Sequence, residues 1–265
     1  MEPAMLAHRS STQRNTTPGR PPARVTSIPA NSVRVWFWDI GDAVDLEDLQ
    51  LLSPAEQARA RKLRVPGKAA EFVTSRATVR TILADLLKTP VDAIEMGRRP
   101  CPDCGSPNQG PPLVLRPPNS LWISVSHTAG QGAFAVALHP VGIDIERIEH
   151  RAVGLLAPIV LTANENMFVG ARTTANARVK AFHRCWTRKE AVLKAAGVGL
   201  AADLTSFDVQ PSRRGDRPAP VTGTVPGYPA RWCVQDLPVG PEWCGALAYP
   251  CDTMPTRSAD PPTPP

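Results

Sequence analysis

Val141-Gly142-Ile143-Asp144-Ile145-Glu146 alternates apolar and polar side chains with a period of two. In a strand, residues i and i+2 share a face, so Ile143 and Ile145 point one way and Asp144 and Glu146 the other. Two carboxylates side by side repel and raise each other's pKa unless water or a counter-charge relieves them. The segment is therefore either an edge strand with a solvated polar face or half of a cation site. Mg²⁺ prefers oxygen ligands of this kind.

Some forty residues downstream stands Phe182-His183-Arg184-Cys185-Trp186-Thr187-Arg188-Lys189-Glu190-Ala191-Val192-Leu193-Lys194. Apolar spacing predicts a helix over about 179–196, ended by Gly197 and Gly199. On it Trp186, Glu190 and Lys194 fall at i, i+4 and i+8 on one stripe. A carboxylate and an ammonium one turn apart suit a phosphate held through a metal. They equally suit an ordinary exposed ion pair.

Upstream, 121–125 and 132–138 read as strands, joined near Ser124-Val125-Ser126-His127. A Ser beside a His does not make a catalytic triad, and no G-x-S-x-G elbow is present. A hydroxyl and an imidazole at a strand end suit phosphate binding or a simple turn cap. Val33-Arg34-Val35-Trp36-Phe37-Trp38 is another strand. Leu52-Ser53-Pro54-Ala55-Glu56 starts a helix to about 63, with Ser53 as cap, Pro54 at the first position and Glu56 closing a capping box. A longer helix follows at about 68–87, then a Gly/Pro/Asn/Ser-rich loop over 97–120. Later strands are expected near 204–209, 231–235 and 244–248, with a Pro/Gly-rich connection over 210–230. Strands mixed with helices and hairpin-length turns predict an α+β fold. The order strand, helix, strands occurs twice and permits two similar halves.

The whole chain has 265 residues, with 42% hydrophobic and 20% charged, so its body is globular. Of the thirty prolines, five fall in 1–30 and five in 251–265, denser than in the rest of the chain, so 1–30 reads as a disordered arm and 251–265 as a disordered Pro-rich tail. No apolar run is long enough to span a membrane, and no secretory signal is seen. Net charge is +6 and the pI about 9.2. The excess arginine is scattered, without lysine runs or aromatic-basic interleaving. That favours a phosphate-rich small molecule or an acidic protein over nucleic acid. Six cysteines in a chain this long are no disulfide scaffold, and a reducing cytoplasm is expected. Cys101-Pro102-Asp103-Cys104 is one C-x-x-C without a second pair, so a structural loop is favoured over a zinc site. There is no P-loop and no G-x-G-x-x-G.

Taken together, Gly142-Ile143-Asp144-Ile145-Glu146 followed by Trp186-Thr187-Arg188-Lys189-Glu190-Ala191, with Ser126-His127 upstream, resembles the paired signature of 4′-phosphopantetheinyl transferases. The length resembles the larger, Sfp-type class. The resemblance covers about 33–248 and includes Leu52–Glu56 and the helix from Phe72 to Arg80. It implies two similar α/β halves in one chain, 31–139 and 140–250, each an antiparallel sheet packed with a long helix. It implies Mg²⁺ held by Asp144, Glu146 and Glu190 against the pyrophosphate of coenzyme A. Glu190 would be the general base, and Lys194 would contact phosphates and assist the leaving group. Arg59, Arg98, Ser126, His127 and Lys189 would bind the nucleotide part. The partners would be apo acyl or peptidyl carrier proteins, the enzyme a monomer, with no nucleic acid and no membrane involved. Family members with a C-x-x-C-G loop usually continue His-Gly-Lys-Pro or His-Gly-Arg-Pro. This chain has Gln109-Gly110-Pro111-Pro112, so Pro111 stands where a basic residue would touch the nucleotide. Two other functions fit the same carboxylates. One is a weak relative that binds coenzyme A or a carrier without efficient transfer. The other is a Mg²⁺-dependent phosphohydrolase.

Overall fold

The computed structural model describes residues 28–65, 67–128, 130–150, 153–199, 202–213 and 215–253. Most of the expected arm and tail lies outside these residues. Along the chain come β1 (Val33–Asp39), α1 (Leu46–Gln50), α2 (Pro54–Lys62), α3 (Lys68–Leu87), β2 (Glu95–Arg98), β3 (Pro112–Arg116), β4 (Trp122–Thr128), β5 (Gln131–Ala137) and β6 (Gly142–Arg147). Then follow α4 (Val153–Val160), α5 (Ala163–Gly170), α6 (Ala175–Ala196), β7 (Phe207–Asp208), β8 (Ala219–Pro220), β9 (Thr222–Gly223), β10 (Trp232–Asp236) and β11 (Trp243–Pro250). The fold is α+β.

Local signals set the helix ends. Ser53 Oγ accepts from Glu56 N–H, and Glu56 Oε2 accepts from Ser53 N–H at 3.0 Å, the reciprocal capping box. α6 begins four residues before the expected start, because Thr174 Oγ1 accepts from Ala177 N–H at 3.2 Å. It ends at Gly197 with φ 79°, the left-handed conformation that glycine adopts without strain.

Two antiparallel sheets share one connectivity. The first has the order β1-β5-β4, with α3 between β1 and β4 in sequence. The second has the order β6-β11-β10-β8, with α6 between β6 and β10. In each, the last strand of the unit pairs back against the first (β1 with β5, β6 with β11). Alternation sorts the side chains. Phe134 and Val136 of β5 pack on α3 residues Val79 and Leu83. Ala133, Ala135 and Ala137 on the other face join Ile143, Ile145, Leu247 and Tyr249 in a core shared by both sheets. Ala246 and Ala248 of β11 pack with α6 residues Phe182, Val192 and Ala195.

Several expectations are corrected. The segment 97–120 is not all loop: Glu95–Arg98 pairs with Pro112–Arg116. These strands are short and hold Gly97 and Pro112, which mask a strand pattern. The region after 150 folds into α4 and α5. α5 has its own capping box between Thr162 and Glu165, and α4 holds Pro158. The strand expected at 204–209 reduces to a 3-10 turn, Leu204–Ser206, and two residues of β7. The tail does not begin at 251, since Cys251–Thr253 forms a turn and Cys251 is bonded to Cys233 in a disulfide. Cys251 N–H bonds Arg231 O at 2.7 Å, which carries the chain past β10 beside Cys233; a single bridge is still no disulfide scaffold. Cys101, Cys104, Cys185 and Cys244 are free. Among the described residues, no helix is long and apolar enough to cross a membrane.

Candidate active site

The face of β6 opposite Ile143 and Ile145 is not solvated. Asp144 is 2% exposed. Its Oδ1 accepts from Ser126 Oγ of β4 at 2.8 Å and from Lys194 Nζ of α6 at 2.7 Å. Ser124, two residues earlier on the same face of β4, accepts from Ile143 N–H at 3.0 Å. The two serines thus stitch β4 to the edge of the second sheet. Glu146, next along the strand face, meets Trp186, whose Nε1 lies 3.4 Å from Glu146 Oε1. The i, i+4, i+8 stripe of α6 therefore faces the strand carboxylates. Asp144, Glu146, Trp186, Glu190 and Lys194 line one cavity of about 280 Å³ with Val125, Ser126 and His127.

Three carboxylates in a half-buried cavity with one ammonium are electrostatically unbalanced. Burial, with Asp144 alongside, pushes the Glu190 carboxyl up to about 7. Burial and Asp144 do the same to Glu146, also to about 7. Asp144 Oδ2 and Glu190 Oε1 are buried without a hydrogen-bond partner. Orphaned, acceptor-only oxygens around surplus negative charge fit a hard divalent cation. Among the described residues, no three carboxylate, imidazole or thiol side chains form a ready-made cage. Lys194 stands against Asp144 instead, so the ammonium and a cation would share the same carboxylate.

The surplus charge has a pH signature. Glu146 and Glu190 hold their protons more tightly folded than unfolded, where a carboxyl titrates near 4.5. Their contribution to stability is thus complete below that value and is lost as pH rises to about 7. Glu190→Gln should leave the melting temperature of the metal-free protein nearly unchanged near pH 4.5 and raise it by several degrees at pH 8, about 2–3 kcal/mol. Thermal denaturation in chelator at both pH values checks this; a pH-independent difference would contradict it.

A second cavity of about 390 Å³ adjoins the first, sharing Val125, His127, Glu190 and Lys194. Arg59, Arg76 and Arg98 bring cationic groups to it, and Phe72 and Val79 an apolar wall. The Arg59 guanidinium lies 4.9 Å over the Phe72 ring. His127 Nδ1 is 3.6 Å from the Glu71 carboxylate, and burial holds its imidazole below the usual value. Arg98 lines the cavity but already donates to Gly110 O at 2.9 Å, so it also fixes the loop. That loop has not left the site: Gln109, Gly110, Pro111 and Pro112 all line the cavity. Pro111→Lys should therefore lower the KM for a phosphate-rich ligand while changing kcat little, since the contact would be made equally in ground and transition states. Steady-state kinetics against Pro111→Ala at two salt concentrations test this: a difference that persists undiminished at high salt would exclude a charge contact.

The expected substrate contacts divide. Arg59, Arg98, His127 and Lys194 reach the cavities. Ser126 lines the carboxylate chamber, but its hydroxyl is committed to Asp144. Lys189 does not reach either cavity, and its expected role as a nucleotide contact is corrected. It is 0% exposed and donates to Leu204 O at 2.6 Å and Phe207 O at 2.5 Å. One residue from Glu190 is about 100° around a helix, so the two side chains leave α6 on different faces. Sequence reasoning missed Ser75 and Arg76. Ser75 Oγ is buried without a partner at the cavity wall. The signal was available: polar Ser75 and Arg76 interrupt the apolar stripe of α3 between Phe72 and Val79.

Residues 140–248 match the family model described as the 4′-phosphopantetheinyl transferase superfamily. A phosphopantetheinyl transferase of Thraustochytrium sp. is 28% identical over 200 residues, 69% of this chain and 65% of the relative. A 4′-phosphopantetheinyl transferase of Aneurinibacillus migulanus is 33% identical over 88 residues, 33% of this chain and 36% of the relative. One of Bacillus pumilus is 26% identical over 188 residues, covering 71% and 74%. The chain thus spans just under two thirds of the Thraustochytrium relative's length.

Proposed function

We propose, from the membership of residues 140–248 in the 4′-phosphopantetheinyl transferase superfamily, that this chain transfers the 4′-phosphopantetheine group of coenzyme A to a serine of an apo acyl or peptidyl carrier protein. The observation that carries the reading is the junction of two chambers. A carboxylate cluster with Lys194 opens into a cavity bearing Arg59, Arg76, Arg98 and His127. Coenzyme A has matching parts, a pyrophosphate beside a phosphorylated nucleoside.

Phosphoryl transfer is chiefly positioning and charge stabilisation. The basic chamber would orient the nucleotide, and Phe72 and Val79 offer apolar surface to its base. The carrier serine oxygen attacks the pantetheine-side phosphorus, and the bond from that phosphorus to the bridging oxygen breaks. Glu190, which lines the carboxylate chamber with Asp144 and Lys194, takes the serine proton. Lys194 stabilises the charge that accumulates on departing adenosine 3′,5′-bisphosphate. Asp144, Glu146 and Glu190 would hold Mg²⁺, which when bound supplies neutralisation of the pyrophosphate. Ser126 fixes the Asp144 carboxylate.

The same reading takes the chain as a monomer of two halves, 31–139 and 140–250, supported by the shared connectivity of the sheets. Its substrates argue for work in the cytoplasm. The Cys233–Cys251 bond is unusual in a reducing compartment, and a thiol count on protein from reduced lysate addresses that point. The functional test is incubation with Mg²⁺, coenzyme A and a panel of apo carriers. The expected result is a carrier heavier by one phosphopantetheine, with stoichiometric adenosine bisphosphate. Bisphosphate released without a carrier would indicate a hydrolase. Coenzyme A binding with neither product would indicate a binding protein.

A further inference from the structure

Lys189 has three N–H donors and three acceptors around it. These are Leu204 O, Phe207 O and, at 3.0 Å, Glu165 Oε2. Glu165 is equally enclosed. Its Oε2 accepts from Thr162 N–H at 2.8 Å and its Oε1 from Val209 N–H at 2.9 Å. Both side chains are 0% exposed. The pair joins three segments: the first turn of α5, the 204–209 stretch and the middle of α6. Arg188, next along, adds a second clamp on the same stretch, with Nη1 donating to Val209 O at 3.0 Å and Gln210 O at 2.9 Å.

A buried ion pair is a poor way to gain stability, since well-packed apolar residues of similar volume serve as well or better. Its hydrogen bonds are, however, directional, and these fix α6 in height and rotation. On another side of the same turns, α6 lies directly on β6. A Cβ built at Gly142 would stand 1.9 Å from Ala191 O and 2.5 Å from Ala195 N. The turns that carry Glu190 and Lys194 are thus held against β6 on one face and tied by Lys189 on another. We propose that Lys189, through its buried bonds to Glu165, Leu204 and Phe207, is a positioning residue that sets the place of Glu190 and Lys194 over Asp144. The proposal rests on the transferase reading for its kinetic arm but not for its binding arm.

The test is the double variant Lys189→Met/Glu165→Gln, which removes both charges together. Mn²⁺ alone is the binding probe, titrated by the paramagnetic signal of the free ion; coenzyme A and an apo carrier give kcat and KM. Loss of a residue that orients metal ligands costs roughly 10–100-fold in metal affinity or activity. The expected result is native circular dichroism, Mn²⁺ bound at least about tenfold more weakly and kcat down by a similar factor. KM for coenzyme A should change less than kcat, because Arg59, Arg76, Arg98 and His127 of the basic chamber lie outside α6. A folded double variant with wild-type Mn²⁺ affinity and kcat would overturn the proposal. So would a lowered number of active molecules with unchanged Mn²⁺ affinity per site, which is the mark of a merely structural tie. Leu204 O and Phe207 O lose their donor in this variant, so Lys189→Arg is the second arm. It keeps the charge and donors but moves the head group. Should the double variant not fold, a folded Lys189→Arg with weaker Mn²⁺ binding and lower kcat supports positioning, and wild-type values for both refute it. If the wild-type protein transfers nothing to any carrier, the functional reading fails while the Mn²⁺ comparison still judges the positioning role.

Discussion

Asp144→Asn and Glu190→Gln should each lower transfer by at least about a thousandfold, equivalent to roughly 4 kcal/mol of transition-state stabilisation. Both side chains are largely buried, and each has an oxygen without a partner. The two substitutions keep shape and remove charge, so packing is preserved and the effect reads the electrostatics. They should differ in stability. Asp144 is the acceptor for both Ser126 and Lys194. Its neutralisation leaves the Lys194 ammonium and the Ser126 hydroxyl without their charged acceptor, and the metal-free protein should melt no higher than wild type at neutral pH. Glu190 has no such partner at Oε1, and its neutralisation should stabilise the metal-free protein. Loss of transfer combined with opposite shifts in melting temperature is the expected pattern. A Glu190→Gln enzyme with more than about a tenth of wild-type turnover would remove Glu190 from the chemistry.

The carboxylate cluster was legible in the chain because its geometry is local. A two-residue period puts Asp144 and Glu146 on one face, and a four-residue step puts Trp186, Glu190 and Lys194 on one stripe. Neither fact says that the face and the stripe meet. That meeting depends on β4 and β11 flanking β6, which is long-range. The role given to Lys189 failed for the same reason. In the sequence it stands beside Glu190 and looks equally available, but a helix sends neighbours in different directions, and the 204–209 stretch that closes over Lys189 carries no regular pattern. Ser126 is a milder case. Its nearness to His127 suggested a shared ligand, but alternation along β4 turns the serine to Asp144 while His127 stands by Glu71. The basic chamber was only partly legible. Arg59 and Arg98 came through resemblance, whereas Arg76 stood inside the α3 helix and was given no role at the site. The short pairing of β2 with β3 escaped notice because strands of four and five residues holding glycine and proline give almost no periodic signal.

Gly142→Ala should be the most damaging single change outside the charged groups. Gly142 is buried between β6 and α6, and its missing side chain is what lets the helix backbone touch the strand. A methyl group at that point would meet Ala191 O and Ala195 N, which are backbone atoms inside a regular helix and cannot rotate away. The conflict is relieved only by lifting α6 from β6 or by bending the strand. Overpacking of this kind costs about 1–3 kcal/mol, and more where backbone must move. For a chain of this size that predicts a fall in melting temperature of roughly 5–10 °C. The functional loss should be larger than the stability loss. Asp144 lies two residues along β6, and Glu190 precedes Ala191, so the same displacement acts directly on the separation of strand and helix carboxylates. At a temperature where the variant is fully folded, kcat should still be reduced by at least about a hundredfold, because a misplacement near 1 Å at a reacting centre costs that much. Circular dichroism and turnover measured together on Gly142→Ala decide the matter. A variant that melts lower but keeps wild-type turnover when folded would mean that α6 tolerates displacement, and that the glycine serves packing alone.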